Sequence, residues 1–154
     1  VAIGFSTSGA RQGDIVERAL EVTRADARLF SAVQATWNLL ETSAGPALQA
    51  ASRRELTVIV KESLANGRLV TEPPDALLEV CARIGAAPDA VALAAAAAQP
   101  WANRVLIGAA GVEQLAANLR ADQVELTPAD SALLSGCAED PEDYWAHRSG
   151  LPWR

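Results

Sequence analysis

Residues 56–70, LTVIVKESLANGRLV, constrain the fold more than any other stretch of the chain. A run of five β-prone apolar residues at 56–60 breaks abruptly into a polar loop carrying Lys61, Glu62, Asn66, Gly67 and Arg68. This is a buried strand that ends in a working loop. In parallel sheets and barrels, ligand sites lie beyond the carboxyl ends of the strands, because the helices cover the other faces.

Three further segments repeat the design. Residues 1–6, VAIGFS, read as a strand closing on Thr7, Ser8 and Gly9. Residues 29–36, LFSAVQAT, are apolar and β-prone except for Gln34, a polar residue near the far end of an otherwise buried strand. Residues 104–107 form the fourth, closing on Gly108, Ala109, Ala110 and Gly111. Helical patterns separate them. The first, 12–23, places Ile15, Val16, Ala19, Leu20 and Val22 on one broad face and Asp14, Glu17, Arg18 and Glu21 on the other. A polar link at 24–28 leads to the second strand. The next helix, 45–55, has Pro46 in its first turn and Arg53 and Arg54 at the end that favours cations.

After the central stretch, Pro73 and Pro74 lead to Asp75, a suitable N-cap for a helix over 76–84 that Gly85 ends. Pro88 and Asp89 open an alanine-rich helix to about 98, stopped by Gln99 and Pro100; its small side chains allow close approach of neighbours. A helix over 112–121 carries Leu115 and Leu119 on one face. The last begins at Thr127 with Pro128 in first position and runs to about Cys137, leaving 140–154 as a tail with Tyr144, Trp145, His147 and Trp153.

Every strand-to-strand connection contains a helix, so the strands are expected to be parallel with right-handed crossovers. The fold class is α/β: four βα units, half of an eight-stranded (β/α)8 TIM-type barrel, in a single segment over 1–154. A whole barrel takes about 250 residues, and four strands alone leave two open edges that invite self-association. The chain has no methionine and begins inside a strand-like run, which gives the look of a piece cut from something longer.

Composition narrows the functions. With 50% hydrophobic residues the chain can bury a continuous core, and a net charge of −6 without a basic stripe argues against nucleic-acid partners. Cys81 and Cys137 stand far apart, with no histidine cluster near them, so neither a redox pair nor a metal site can be drawn. A reduced, cytoplasmic protein is the natural expectation. The most apolar run, 90–98, is nearly all alanine and too short for a bilayer, and no signal peptide is expected, since the opening residues have no basic region ahead of an apolar one.

In its motifs the chain resembles the aldo/keto reductases, NADPH-dependent oxidoreductases built on a (β/α)8 barrel. IGFS at 3–6 looks like the fifth barrel strand and VQATWNLLE at 33–41 like the sixth. VIVKESLANGRL at 58–69 looks like the seventh strand with its cofactor loop, and VLIGAAGVEQLAANL at 105–119 like the eighth with its helix. The pieces stand in the right order and spacing, and the ending YWAHRSGLPW resembles one branch of the family. The resemblance covers essentially the whole chain and implies the C-terminal half of such an enzyme.

It implies site residues position by position. Ser6, Thr7 and Gln34 match the holders of the nicotinamide carboxamide, Thr7 standing where the family has asparagine. Lys61 occupies the place of an aromatic that stacks on the nicotinamide. Glu62, Ser63, Leu64, Ala65, Asn66 and Gly67 match the loop that embraces the pyrophosphate. Gly108, Ala109 and Ala110 match the adenosine-phosphate segment, Gln114 stands where many members carry an arginine for the 2′-phosphate, and Asn118 matches an adenine contact. The implied cofactor is NADP, with NAD as the other form. Independently, barrels in general build phosphate sites from the loops after the seventh and eighth strands and a helix N-terminus.

Plainer readings stand beside these. Gln34 can bond neighbouring backbone, and Lys61 and Glu62 can form a partly exposed ion pair of little value. Trp37, just past the sixth-strand match, either walls a substrate pocket or packs. His147 is expected to be a packed or surface histidine, and the two cysteines inert burial. The family's catalytic tyrosine, lysine, aspartate and histidine lie on earlier strands, so no residue here inherits a catalytic role. Two functions follow. One is the cofactor-binding half of an aldehyde or ketone reductase; the other is a non-catalytic half-barrel scaffold that pairs with itself or another chain.

Overall fold

The computed structural model describes residues 2–152. Val1, Trp153 and Arg154, which the sequence reading placed in the first strand and the tail, lie outside the described residues. Four strands form one sheet in the order β1 (Gly4–Ser6), β4 (Ala32–Thr36), β5 (Thr57–Lys61), β6 (Arg104–Val105), and every pairing is parallel. Between the first two lies a small antiparallel hairpin, β2 (Thr23–Arg24) with β3 (Ala27–Arg28), where the sequence reading had the end of a helix and a polar link. Ala25 and Asp26 turn it with φ of 50° and 61°, which cuts the preceding helix short.

The alternation along the strands decides which side faces the helices. Val33, Ala35, Val58 and Val60 are fully buried on one face, beneath α1 (Gln12–Leu20) and α2 (Gly45–Arg53). Val16, Leu20, Ala47, Leu48 and Ala51 complete that core from the helices. Burial of one such valine or leucine contributes roughly 1.5–3 kcal/mol, which holds this layer together. Gln34, Thr57, Ile59 and Lys61 alternate onto the other face and are only partly buried. That face corresponds to a barrel lumen. Ile15 and Val22, expected on the inner side of the first helix, are exposed, because α1 is covered on one flank only.

A second core gathers around α5 (Pro88–Ala97), whose residues from Ala90 to Ala96 are all buried. It packs against α3 (Arg68–Thr71), α4 (Asp75–Ile84) and α6 (Val112–Leu119). The cap of α4 differs from expectation: Pro74 is the N-cap and Asp75 the first helical residue, with no side-chain cap hydrogen bond. Gly85 does end that helix, at φ 75°. Thr127 caps α7 (Pro128–Leu134) in a reciprocal box with Asp130, short of the expected single helix, since 135–137 tighten into a 3-10 turn.

The segment read as a tail folds. Asp140 caps α8 (Pro141–Ser149), accepting from the backbone amides of Glu142 and Asp143, with Pro141 in the first turn. Tyr144 plugs the second core at 1% exposure. On α6 Leu115 and Leu119, which share a face, are both exposed. Among the described residues no single helix is long and apolar enough to cross a membrane.

Candidate functional site

The register brings the expected residues to one end of the sheet. Ser6 pairs with Gln34 and Gln34 with Ile59, while Thr36 pairs with Lys61, so Lys61 stands one step beyond the Ser6–Gln34 row. Ser6 Oγ donates to Gln34 Oε1 at 2.9 Å. Lys61 Nζ donates to Ser8 Oγ at 2.7 Å and to Ser6 Oγ at 3.3 Å. These side chains form one polar line across the carboxyl end of the lumen face. Thr7 is buried beside it: its amide donates to Gln34 O at 2.9 Å, and its hydroxyl has no partner among the described residues.

A groove of about 620 Å³ opens where the loop after β5 meets the segment after β6. Lys61, Glu62, Ser63, Leu64, Asn66 and Gly67 line one side, and Gly108 and Gln114 line the other. Val70, Thr71, Leu106 and Ile107 complete it and were not singled out in the sequence; they are apolar or neutral residues that no chemical motif marks. Ala65 lies beneath the loop at 1% exposure, and Ala109 and Ala110 continue past the groove. Asn118 is buried; its amide lies 3.2 Å from Gln114 O and 3.1 Å from Asp89 Oδ2, placed to donate to both.

The loop backbone is unusual. Glu62, Ala65 and Asn66 have φ of 55°, 50° and 55°, and Gly67 follows at 96°. A left-handed conformation costs a residue with a Cβ roughly 1–2 kcal/mol, so the surroundings must hold this shape. They do so at several points. Asn38 Nδ2 donates to Glu62 O at 2.9 Å, and Ser63 Oγ donates to Leu106 O at 3.2 Å, stitching the loop to both neighbours. Glu62 takes both Nε and Nη2 of Arg148, at 3.1 and 2.5 Å, rather than pairing with Lys61. The adjacent ion pair read from the sequence is therefore replaced by a long-range one. Asn38, Tyr144 and Arg148 escaped the sequence reading, although Asp140–Pro141 was a helix-start signal that would have put Tyr144 and Arg148 one turn apart.

Burial lowers the pKa of Lys61 below its ordinary 10.5, with Glu62 pulling it back up and Arg148 lowering it further. Among the described residues Lys61 has no ion-pair partner, so its ammonium offers charge to a ligand. Tyr144 is pushed up to about 12 by burial, opposed by the Asn38 hydrogen bond. Its hydroxyl is not a proton donor for the groove. His147 is exposed, and burial raises the thiols of Cys81 and Cys137.

Trp37 continues the Val33–Ala35 alternation onto the helix side. It lies edge-on to Trp101 with ring centroids 5.8 Å apart, in the core beneath α1 and α2. It also borders a cavity of about 370 Å³ with Leu39, Thr42, Ala95 and Gln99, facing away from the polar line.

No protein-family model matches the sequence, and no curated protein matches it. Solved structures do. The thermostable aldo-keto reductase Tm1743, determined in complex with the inhibitor epalrestat, superposes with a TM-score of 0.70 over 88% of this chain at 22% identity. The fold is that of half an aldo-keto reductase barrel. Aldo-keto reductase AKR11C1 from Bacillus halodurans agrees, with TM-scores of 0.64 in its apo form and 0.66 in its holo form, both at 17% identity. The chain spans about half the length of these structures, 48% of the first and 50% of the other two. At such identities the likeness is one of fold. The part that carries over is the arrangement of four parallel strands and their helices.

Proposed function

We propose that this chain is the dinucleotide-binding half of a cytoplasmic NAD(P)H-dependent oxidoreductase that reduces aldehydes or ketones. The observation that carries the reading is a coincidence of two independent lines. The groove is walled by the two segments, 61–67 and 108–114, that the motifs assign to pyrophosphate and adenosine. Its size suits a cofactor, and its walls fit one. Beside Gly67 and Gly108 nothing lies within 4 Å of where a Cβ would stand, so bare backbone faces open space on both sides. The unspent Thr7 hydroxyl and the Ser6–Gln34 pair offer polar atoms for a carboxamide. Free, buried Cys81 and Cys137 accord with a reducing compartment.

When bound, the dinucleotide would supply the hydride. Lys61 would counter its negative charge, loop 62–67 would hold the pyrophosphate through backbone donors, and Gly108, Ala109, Ala110, Gln114 and Asn118 would flank the adenosine. Gln114 is neutral and already accepts from the Ala110 amide at 2.8 Å, so NADP and NAD are compared rather than assumed equal. The test is titration of the purified chain with NADPH and with NADH, followed by nicotinamide fluorescence. Saturable binding with turnover far below about 1 per second on an aromatic aldehyde is expected, since Glu62, the carboxyl group that lines the groove, is held as a carboxylate in its two-pronged pair with Arg148 and has no proton to give. Absence of binding at millimolar cofactor refutes the reading.

A second reading, a self-pairing half-barrel scaffold, is favoured by one observation. Leu106, Ile107, Val112, Leu115 and Leu119 are exposed along one open edge, and Ile3, Ile15 and Val22 along the other. Whatever closes the barrel, a further half of the same protein or a second copy, would cover them.

A further inference from the structure

The groove loop does not hold its shape unaided; the segment 139–148 grips it at both ends. At one end the Arg148 guanidinium takes both carboxylate oxygens of Glu62, at 2.5 and 3.1 Å. At the other, Arg68 meets both oxygens of Glu139, at 2.6 and 3.0 Å. Between them the Tyr144 hydroxyl accepts from Asn38 at 3.0 Å, and the same Asn38 amide holds the Glu62 carbonyl. None of this follows from the sheet, to which α8 does not belong.

Two features of the loop require such a hold. Glu62 and Ala65 sit in the left-handed region without being glycine, and that backbone persists only where its surroundings over-determine it. Glu62 also lines the groove, where a lone carboxylate would repel an anionic ligand. A two-pronged pair with Arg148 answers both needs, fixing the direction of the carboxylate and cancelling its charge.

We infer that Arg148 is a positioning residue for the groove: acting through Glu62, it fixes loop 62–67 in the shape that presents its backbone to a ligand. Arg148 itself does not line the groove. That the ligand is a dinucleotide rests on the function proposed above; the fixing of the loop does not.

The experiment reads the two separately. Amide hydrogen exchange over 62–71 is measured on the chain without ligand, and NADPH affinity by fluorescence, for the wild type, R148Q, E62Q, the double variant and the reversed pair E62R/R148E. Each single variant is expected to speed exchange in the loop and to weaken NADPH binding, both about ten-fold, a usual size for the coupling of one contacting pair. The double variant should be no worse than either single, and the reversed pair should recover part of both losses. Arg148 also lies 5.3 Å over the Trp145 ring, and a mere packing role there predicts the opposite pattern. In that case E62Q leaves the loop unchanged and the reversed pair rescues nothing, which overturns the inference. If R148Q does not fold, R148K serves, since it keeps the charge and loses the fork; unchanged loop exchange in R148K overturns it equally. A wild type that binds no NADPH, with loop exchange raised in the variants, supports the role of Arg148 and removes the dinucleotide reading. Wild-type binding that R148Q leaves intact, with exchange unchanged, removes the role of Arg148 and keeps that reading.

Discussion

Replacing Asn38 with alanine should cost more than any surface change in the molecule, because one buried amide ties three segments together. Asn38 is fully buried. Its Oδ1 accepts from the Leu40 and Glu41 amides at 2.9 and 3.0 Å, and its Nδ2 donates to Glu62 O and Tyr144 Oη at 2.9 and 3.0 Å. Four hydrogen bonds at about 0.5–1.5 kcal/mol each bracket the loss at roughly 2–6 kcal/mol. The lower end of that range is ruled out, since the Leu40 amide, the Glu62 carbonyl and the Tyr144 hydroxyl are left without this partner in a dry interior. We expect about 3–5 kcal/mol, a large part of the roughly 5–15 kcal/mol that a domain usually has. At a urea m-value of roughly 2 kcal/mol/M the midpoint falls by about 1.5–2.5 M, measured at one fixed protein concentration. Tyr144→Phe removes only the last of the four bonds and should cost about 1 kcal/mol. An Asn38→Ala loss under about 1 kcal/mol, or a Tyr144→Phe loss as large, would show that the amide is not the rivet described.

Gly108→Val should abolish NADPH binding while leaving the urea midpoint nearly unchanged, because a Cβ there meets nothing within 4 Å and the new side chain starts into open space beside the groove. Retained affinity would place the cofactor elsewhere. Lys61→Met should weaken NADPH binding and reduce its salt dependence. It should also remove a pH effect: the lowered folded pKa means the unfolded chain binds the proton more readily, so wild-type stability rises with pH between that lowered value and 10.5. A variant with the same alkaline slope contradicts the assignment. Sedimentation of the chain at micromolar concentration should show association, and Val112→Lys with Leu119→Glu should shift it toward monomer; a wild-type monomer would mean that the open edges are tolerated.

The four-unit order, the parallel sheet and the polar loop that follows β5 were legible because each rests on local pattern. A β-prone run of 56–60 and a glycine at 85 carry their meaning within a few residues. What escaped depends on distance. Whether Leu115 and Leu119 are covered is decided by what stands beyond β6, and periodicity alone reports only that they share a face. Glu62 was read with its neighbour Lys61, yet its partner is 86 positions away, at Arg148. Ala25 and Asp26 turn a hairpin in left-handed backbone without a glycine or asparagine to announce it. Trp37 follows the strand alternation one step past Thr36, and counting by twos from Val33 would have sent it to the helix side.

The face shared by Ser6, Gln34 and Lys61 has a consequence for assembly. An apolar lumen wall would have to stay hidden until its counterpart arrived, and a half made that way would be sticky on its broadest surface. Here that wall is already hydrogen bonded to itself at 2.7 to 3.3 Å, and its groups are equally at home in water. If a second half closes the ring, as in the proposed assembly, this half would be able to fold first and dock second. The exposed apolar side chains lie at two narrow seams, at β1 with α1 and at β6 with α6, an arrangement that would favour closure of the ring over stacking of one open wall on another.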